Sequence, residues 1–172
     1  MSPSKFHPTL LSAMVSGACA GAVGAVAQVA VGFLLSRYFL PRRQDNNIAP
    51  RFIGRVFQKS GRPARRARDW SLGILFHLAY GIGWGCAFGL ARRWTGIPSP
   101  LLGGATGMVV YVLAFSGMGV ATHTQTEDRP SRRSWRKQVS LIVVAWTFAM
   151  CTAAVYDLVA QRAAPKERVE RP

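Results

Sequence analysis

Acidic side chains are scarce in this chain. Seven Asp and Glu stand against 22 Lys and Arg among 172 residues, a formal net charge of +15. Cysteine is nearly as rare: Cys19, Cys86 and Cys151 lie far apart, each in a different apolar stretch. That excludes a disulfide-stapled secreted scaffold and reads as small packing residues rather than a redox pair. The three histidines, His7, His77 and His123, have no metal-ligand spacing, so no metal is expected. There is no glycine-rich phosphate loop, no Ser beside a His base and no pair of glycosidase-type carboxylates. No catalytic residue and no cofactor is therefore expected. Apolar residues, by contrast, make up 49% of the chain, and the mean hydropathy is +0.14. That content excludes disorder over most of the length. Strong basicity and high apolar content are compatible where the two are segregated along the chain, and here they are.

Lys, Arg and Glu are missing from four long stretches: Thr9 to Ser36, Ser71 to Ala91, Pro100 to Thr122 and Val139 to Ala160. The fourth carries one acid, Asp157, near its end. A helix needs about 20 apolar residues to cross a bilayer core, and each stretch meets that length. A soluble bundle of helices apolar on nearly all faces would leave too little polar surface. The expected fold class is therefore all-α: a polytopic membrane protein, 1–172 forming one domain of four transmembrane helices. A secretory signal is disfavoured for the first stretch, which is too long for an h-region and is preceded only by Lys5. At 1.5 Å per residue it spans about 42 Å, longer than a core of about 30 Å, so tilt or protrusion is expected.

The cations cluster. Arg37 to Trp70 and His123 to Gln138 together hold 15 of the 22. The positive-inside rule puts both loops in the cytoplasm and both termini outside it. Residues 161–172 read as a charged, flexible tail. Within the first loop, Asp45-Asn46-Asn47 marks a break and Pro50 suits a helix start. Phe52, Ile53, Val56 and Phe57 then recur at helical spacing, while Arg51, Arg55 and Lys59 share another face. This predicts a short amphipathic helix at the membrane surface, ended by Gly61-Arg62-Pro63. Arg65, Arg66 and Arg68 follow, with Trp70 as an interfacial anchor. Arg51, Arg55, Lys59, Arg65, Arg66 and Arg68 are the candidate contacts to anionic lipid head groups, against the plainer reading of anchoring and topology alone. Nucleic acid is disfavoured: no aromatic stacking platform or folded recognition motif accompanies the arginines.

Inside the spans, small residues recur every four positions: Gly17, Gly21 and Ala25; Gly81, Gly85 and Gly89; Gly103 and Gly107; Ala145, Ala149 and Ala153. Such faces let helix backbones approach closely, and a compact bundle is expected. An oligomer interface or a thin pore is the functional alternative. Intramembrane polar residues are few. His77 is the leading candidate, with Tyr80 near it, Gln28 in the first span and Asp157 in the fourth. The plain reading is a neutral His77 bonded to Gln28 or to a backbone carbonyl. Ser116 and Thr147 can bond their own helix carbonyls. Gly81-Ile82-Gly83-Trp84-Gly85 lies within an apolar helix and is not a dinucleotide fingerprint.

The long Gly/Ala-rich first span, the Ala49-Pro50-Arg51-Phe52-Ile53 segment, the Arg-rich approach and the run His77 to Gly85 resemble the YagU-like group of uncharacterised bacterial inner-membrane proteins. Pro100, Gly103, Gly104 and Gly107 before Tyr111 extend the likeness, which covers Gly17 to Tyr111. The fourth span departs from that pattern in lacking a second His. The resemblance implies a multi-span inner-membrane protein and carries no activity or catalytic residues. The expected function is non-enzymatic: an accessory, assembly or structural component of a membrane complex. Its partners would be the bilayer and a membrane protein or a second copy. A small transporter or channel using His77 is the alternative.

Overall fold

The computed structural model describes residues 9–41, 44, 46, 48–61, 63 and 65–163. Lys5, His7, Arg42, Arg43, Asp45, Asn47, Arg62 and the tail from 164 onward lie outside the described residues, as does the side chain of Arg66. Among the described residues the elements are helices: α1 (Leu10–Tyr38), α2 (Ile48–Lys59), α3 (Arg66–Thr95), α4 (Ser99–Phe115), α5 (Val120–His123) and α6 (Trp135–Ala163), with a 3-10 turn at Pro130–Arg132. No strand occurs among them.

Four segments are long and apolar enough to cross a membrane: Leu10–Tyr38, Arg68–Thr95, Ser99–His123 and Trp135–Arg162. The chain thus reads as a multi-pass membrane protein. Leu11, Val15, Val26 and Phe33 on α1 and Leu101, Met108 and Leu113 on α4 face outward. In water these would be large apolar patches; in hydrocarbon they are the required surface. Trp70 and Trp135 are exposed at one end of the bundle and Trp94 at the other. Along α3 the rise from Trp70 to Trp94 is about 36 Å, matching two interfacial belts around a bilayer core.

Local chemistry sets the helix ends. The Thr9 hydroxyl accepts from the Ser12 N–H at 3.1 Å and opens α1. Pro50 stands in the first turn of α2, and Gly61 follows its end at φ +72°. Gly96, at φ +64°, closes α3 in the left-handed region, behind Arg92 and Arg93 in the last turn.

The third span is not one continuous helix, as the run Pro100 to Thr122 predicts. α4 stops at Phe115, the chain turns at Ser116–Gly119, and α5 resumes. Gly119 folds back on α4 so closely that a Cβ there would lie 2.6 Å from the Ala114 carbonyl. Gly119, with no side chain, permits that approach, and Gly117 and Gly119 both lower helix propensity here. Ser116 is accordingly the C-cap of α4, its N–H donating to the Val112 carbonyl at 3.2 Å. The tail also begins later than 161, because Gln161 and Arg162 still belong to α6.

α1 packs between α3 and α6, and α6 packs between α1 and α4. The packing sequence is therefore α3–α1–α6–α4, and α3 and α4 touch little although they are consecutive in the chain. Small residues make the seams. A Cβ on Gly85 would overlap the Gly17 carbonyl oxygen, and one on Gly21 would overlap that of Gly81. A Cβ on Gly89 would overlap the carbonyl oxygen of Ala13. Between α4 and α6, Gly103 meets Ala153 and Gly107 meets Ala149, where added Cβ atoms would sit 3.0 and 3.3 Å away. Ala25, Val110, Ala145, Phe148 and Ala149 form the core between these seams.

The amphipathic α2 docks on the first turns of α3. A Cβ on Gly73 would lie 2.8 Å from the Pro50 nitrogen. Phe52 stacks on Phe76 with centroids 5.1 Å apart, and the Arg68 guanidinium lies 3.9 Å above the Phe57 ring. Both long basic loops and α2 therefore gather at one end of the bundle.

Candidate functional site at the loop end of the bundle

The site is built around a buried ion pair. After α5, Gln125 adopts φ +58°, a left-handed conformation that is strained for a residue with a side chain. This turn lets the N–H groups of Thr126 and Glu127 both donate to the Ala121 carbonyl at 2.9 Å. It also directs the Glu127 carboxylate inward, 3.1 Å from the Lys137 ammonium and 3.5 Å from the Arg51 guanidinium. Lys137 is only 4% exposed. A buried pair of this kind needs further hydrogen bonds to offset lost hydration. Lys137 has one in Asn46, whose Oδ1 accepts at 3.1 Å.

Asn46 extends the network across three elements. Its Nδ2 donates to Ser140 Oγ on α6 at 2.7 Å and to the Gly32 carbonyl on α1 at 3.3 Å. Its backbone N–H donates to Ser36 Oγ at 3.0 Å. One asparagine thus ties the first loop to α1 and α6. Arg133 performs the matching task for the broken third span. It donates to the Phe115 carbonyl at 2.7 Å, to Thr122 Oγ1 at 2.9 Å and to the Asp128 carbonyl at 2.7 Å. The Phe115 carbonyl is one that the helix break leaves without a helical partner. Burial lowers the pKa of the Arg133 guanidinium from its ordinary value, and the charge of Glu127 opposes that shift.

Beside this junction lies an open cleft of about 750 Å³. Pro50, Arg51, Gly54, Arg55 and Gln58 of α2 form one wall. Asp69 and Trp70 of α3 and the segment Gln125 to Asp128 form the others. A smaller cavity of about 170 Å³ adjoins it, sharing Arg51, Glu127 and Asp128 and adding Arg132, Arg133 and Lys137.

The opposite end has its own polar chain. Arg92 Nε donates to Ser99 Oγ at 3.0 Å, and that hydroxyl donates to Asp157 Oδ1 at 2.6 Å. Asp157 thus joins the ends of α3, α4 and α6 through the buried Ser99. Asp157→Ala should leave that hydroxyl without its acceptor and destabilise the protein by about 1–3 kcal/mol. A melting midpoint in detergent equal to the parent's would remove this junction from the account.

His77 lies at a fork. Asp69, Gly73, His77, Gly81, Gly85 and Gly89 form one i, i+4 stripe of α3. Its first part, Asp69 and Gly73, packs against Gly54 and Pro50 of α2; its last part packs against α1. Between them lies the His77 ring, whose Nε2 is buried without a hydrogen-bond partner. Gln28 is itself buried on α1. Tyr80 belongs to an aromatic ladder on α3, 6.1 Å from Phe76 and 6.1 Å from Trp84.

The candidate lipid contacts divide. Arg55, Lys59 and Arg65 are exposed. Arg51 is exposed but also paired with Glu127. Arg68 turns inward, binding Asp69 Oδ1 at 3.1 Å and the Pro63 carbonyl at 2.9 Å. The sequence pattern does not mark Glu127, Lys137 or Arg133 as site residues, and it marks Asn46 only as part of a break. The available signal was Glu127-Asp128, two acids inside a loop otherwise rich in Arg. Among the described residues, no group of three or more His, Cys, Asp or Glu could hold a metal ion.

The chain matches no protein-family model, no curated protein and no solved structure.

Proposed function

We propose that this is a bacterial inner-membrane protein that works through contacts, as a non-enzymatic accessory or assembly component of a larger membrane complex. The observation that carries the reading is the folded loop end. Buried polar bonds fix α2 and both long loops there as one surface, while small residues close the span interior backbone to backbone. A rigid basic platform on a tightly seamed anchor suits docking. The YagU-like run from His77 to Gly85 supports the inner membrane.

By the positive-inside rule, the cation-rich loops support a reading in which this end is cytoplasmic and both termini lie outside. There α2 lies in the interface with Arg55, Lys59 and Arg65 near anionic head groups. Single-cysteine labelling in intact cells, in a cysteine-free background, should protect Gln58→Cys and Ser131→Cys from an impermeant reagent. It should label Ser2→Cys and Thr95→Cys. The reverse pattern overturns the orientation and leaves the four spans standing.

A transporter reading rests on one observation, the buried Nε2 of His77 without a partner. Proteoliposomes containing the purified protein are expected to pass protons and monovalent ions no faster than empty ones. Flux that appears with the protein and disappears in His77→Ala would replace the accessory role with transport.

A further inference from the structure

We propose that the cleft between α2, the start of α3 and the turn Gln125 to Asp128 holds the head group of a zwitterionic phospholipid with a primary ammonium, of the ethanolamine type. This goes beyond the accessory role, and it holds whichever side of the membrane the loop end faces.

Charge is the first argument. On a protein of net charge +15 with only seven acids, three of them, Asp69, Glu127 and Asp128, line this one cleft. Asp69 is already paired with Arg68, and Glu127 with Lys137 and Arg51, so the exposed Asp128 and Arg55 are the charges the cleft offers to a ligand. A purely anionic head group would face Asp128, and like charge brought together is disfavoured. A simple cation would face the Arg55 guanidinium. A ligand with a phosphate and an ammonium a few ångströms apart satisfies both signs. Arg55 and Gln58 supply N–H donors for the phosphate. A primary ammonium has N–H donors for the exposed Asp128 carboxylate, whereas a quaternary choline has none.

Position is the second argument. Trp70 lines the cleft where α3 passes from its basic start into its apolar stretch, the level of a head-group belt. Ile74, one helical turn further along, is 57% exposed. It continues the Trp70 surface toward the hydrocarbon, where an acyl chain would run. The cleft, at about 750 Å³, has room for a head group with its glycerol.

The test uses the purified full chain in detergent, titrated with dioctanoyl lipids carrying ethanolamine, choline or glycerol head groups. The ethanolamine lipid should bind about fivefold more tightly than the other two, the scale of one good ion pair. Asp128→Asn should abolish the preference over choline with an unchanged lipid-free melting midpoint. Arg55→Gln should weaken all three lipids. Glycerophosphoethanolamine, which lacks acyl chains, should bind much more weakly than the lipid. Equal or tighter binding of the glycerol lipid would overturn the proposal, as would a preference that survives Asp128→Asn. Binding of glycerophosphoethanolamine as tight as the lipid would assign the cleft to a soluble ligand and overturn the lipid assignment.

Discussion

Gly85→Leu is expected to lower the melting midpoint of the detergent-purified protein by about 6–10 °C, the scale of roughly 3 kcal/mol in a chain of this size. A Cβ at Gly85 would overlap the Gly17 carbonyl oxygen and lie 2.7 Å from the Gly21 Cα. Both are backbone atoms of a helix, so neither can rotate away as a side chain would. A leucine must separate α1 from α3 along the whole Gly81–Gly85–Gly89 seam. Gly83→Leu is the control on the same helix. Nothing lies within 4 Å of a Cβ there, so leucine enters lipid and adds helix propensity. Leu90→Ala, near the end of the apolar stretch and half-buried, should cost less than Gly85→Leu. Equal midpoints for Gly83→Leu and Gly85→Leu would show that the glycine seam does not hold the helices.

The second large effect is expected from Lys137→Ala. It leaves the Glu127 carboxylate buried with Arg51, 3.5 Å away, as its remaining ion-pair partner. Asn46 Oδ1 also loses the ammonium that donates to it. Breaking one side of a buried pair costs about 3–5 kcal/mol. The double substitution Lys137→Met with Glu127→Gln removes both charges and should recover most of that loss. A protease acting on the two long loops provides a readout independent of melting. It should cut Lys137→Ala early and spare the double variant. If the double variant is as unstable as the single one, the charge pair is not what holds the loop end.

The spans were legible because a bilayer imposes its demand on residue type. Cations and glutamate are missing from four runs, and four segments of the structure have the length and apolarity to cross. The small-residue periodicities were legible for a similar reason, since close helix approach leaves a direct trace every four residues. Other features lie in long-range pairing, which local pattern does not encode. Lys137 and Asn46 are 91 positions apart, and nothing near either marks the other. The apolar face of α2 was visible as Phe52, Ile53, Val56 and Phe57. Its partner was not, because lipid and a neighbouring helix make the same demand on that face. The structure gives Phe52 and Phe57 partners on α3. The break at Ser116 to Gly119 was signalled by two glycines, but the apolar run around them hid it. His77 was visible as a polar group in an apolar helix. The register of α1 against α3, set by the Gly21–Gly81 and Gly17–Gly85 contacts, was not.

On the reading proposed above, the loop end is a folded docking surface on a tightly packed membrane anchor. Gentle extraction at native expression, followed by affinity purification, tests it most directly. The parent should bring down a membrane protein in fixed stoichiometry. Lys137→Ala, rescued in amount but with its loop end loosened, should lose that partner, while Gly83→Leu should keep it. A parent that elutes as a clean monomer without a stoichiometric partner would contradict the account.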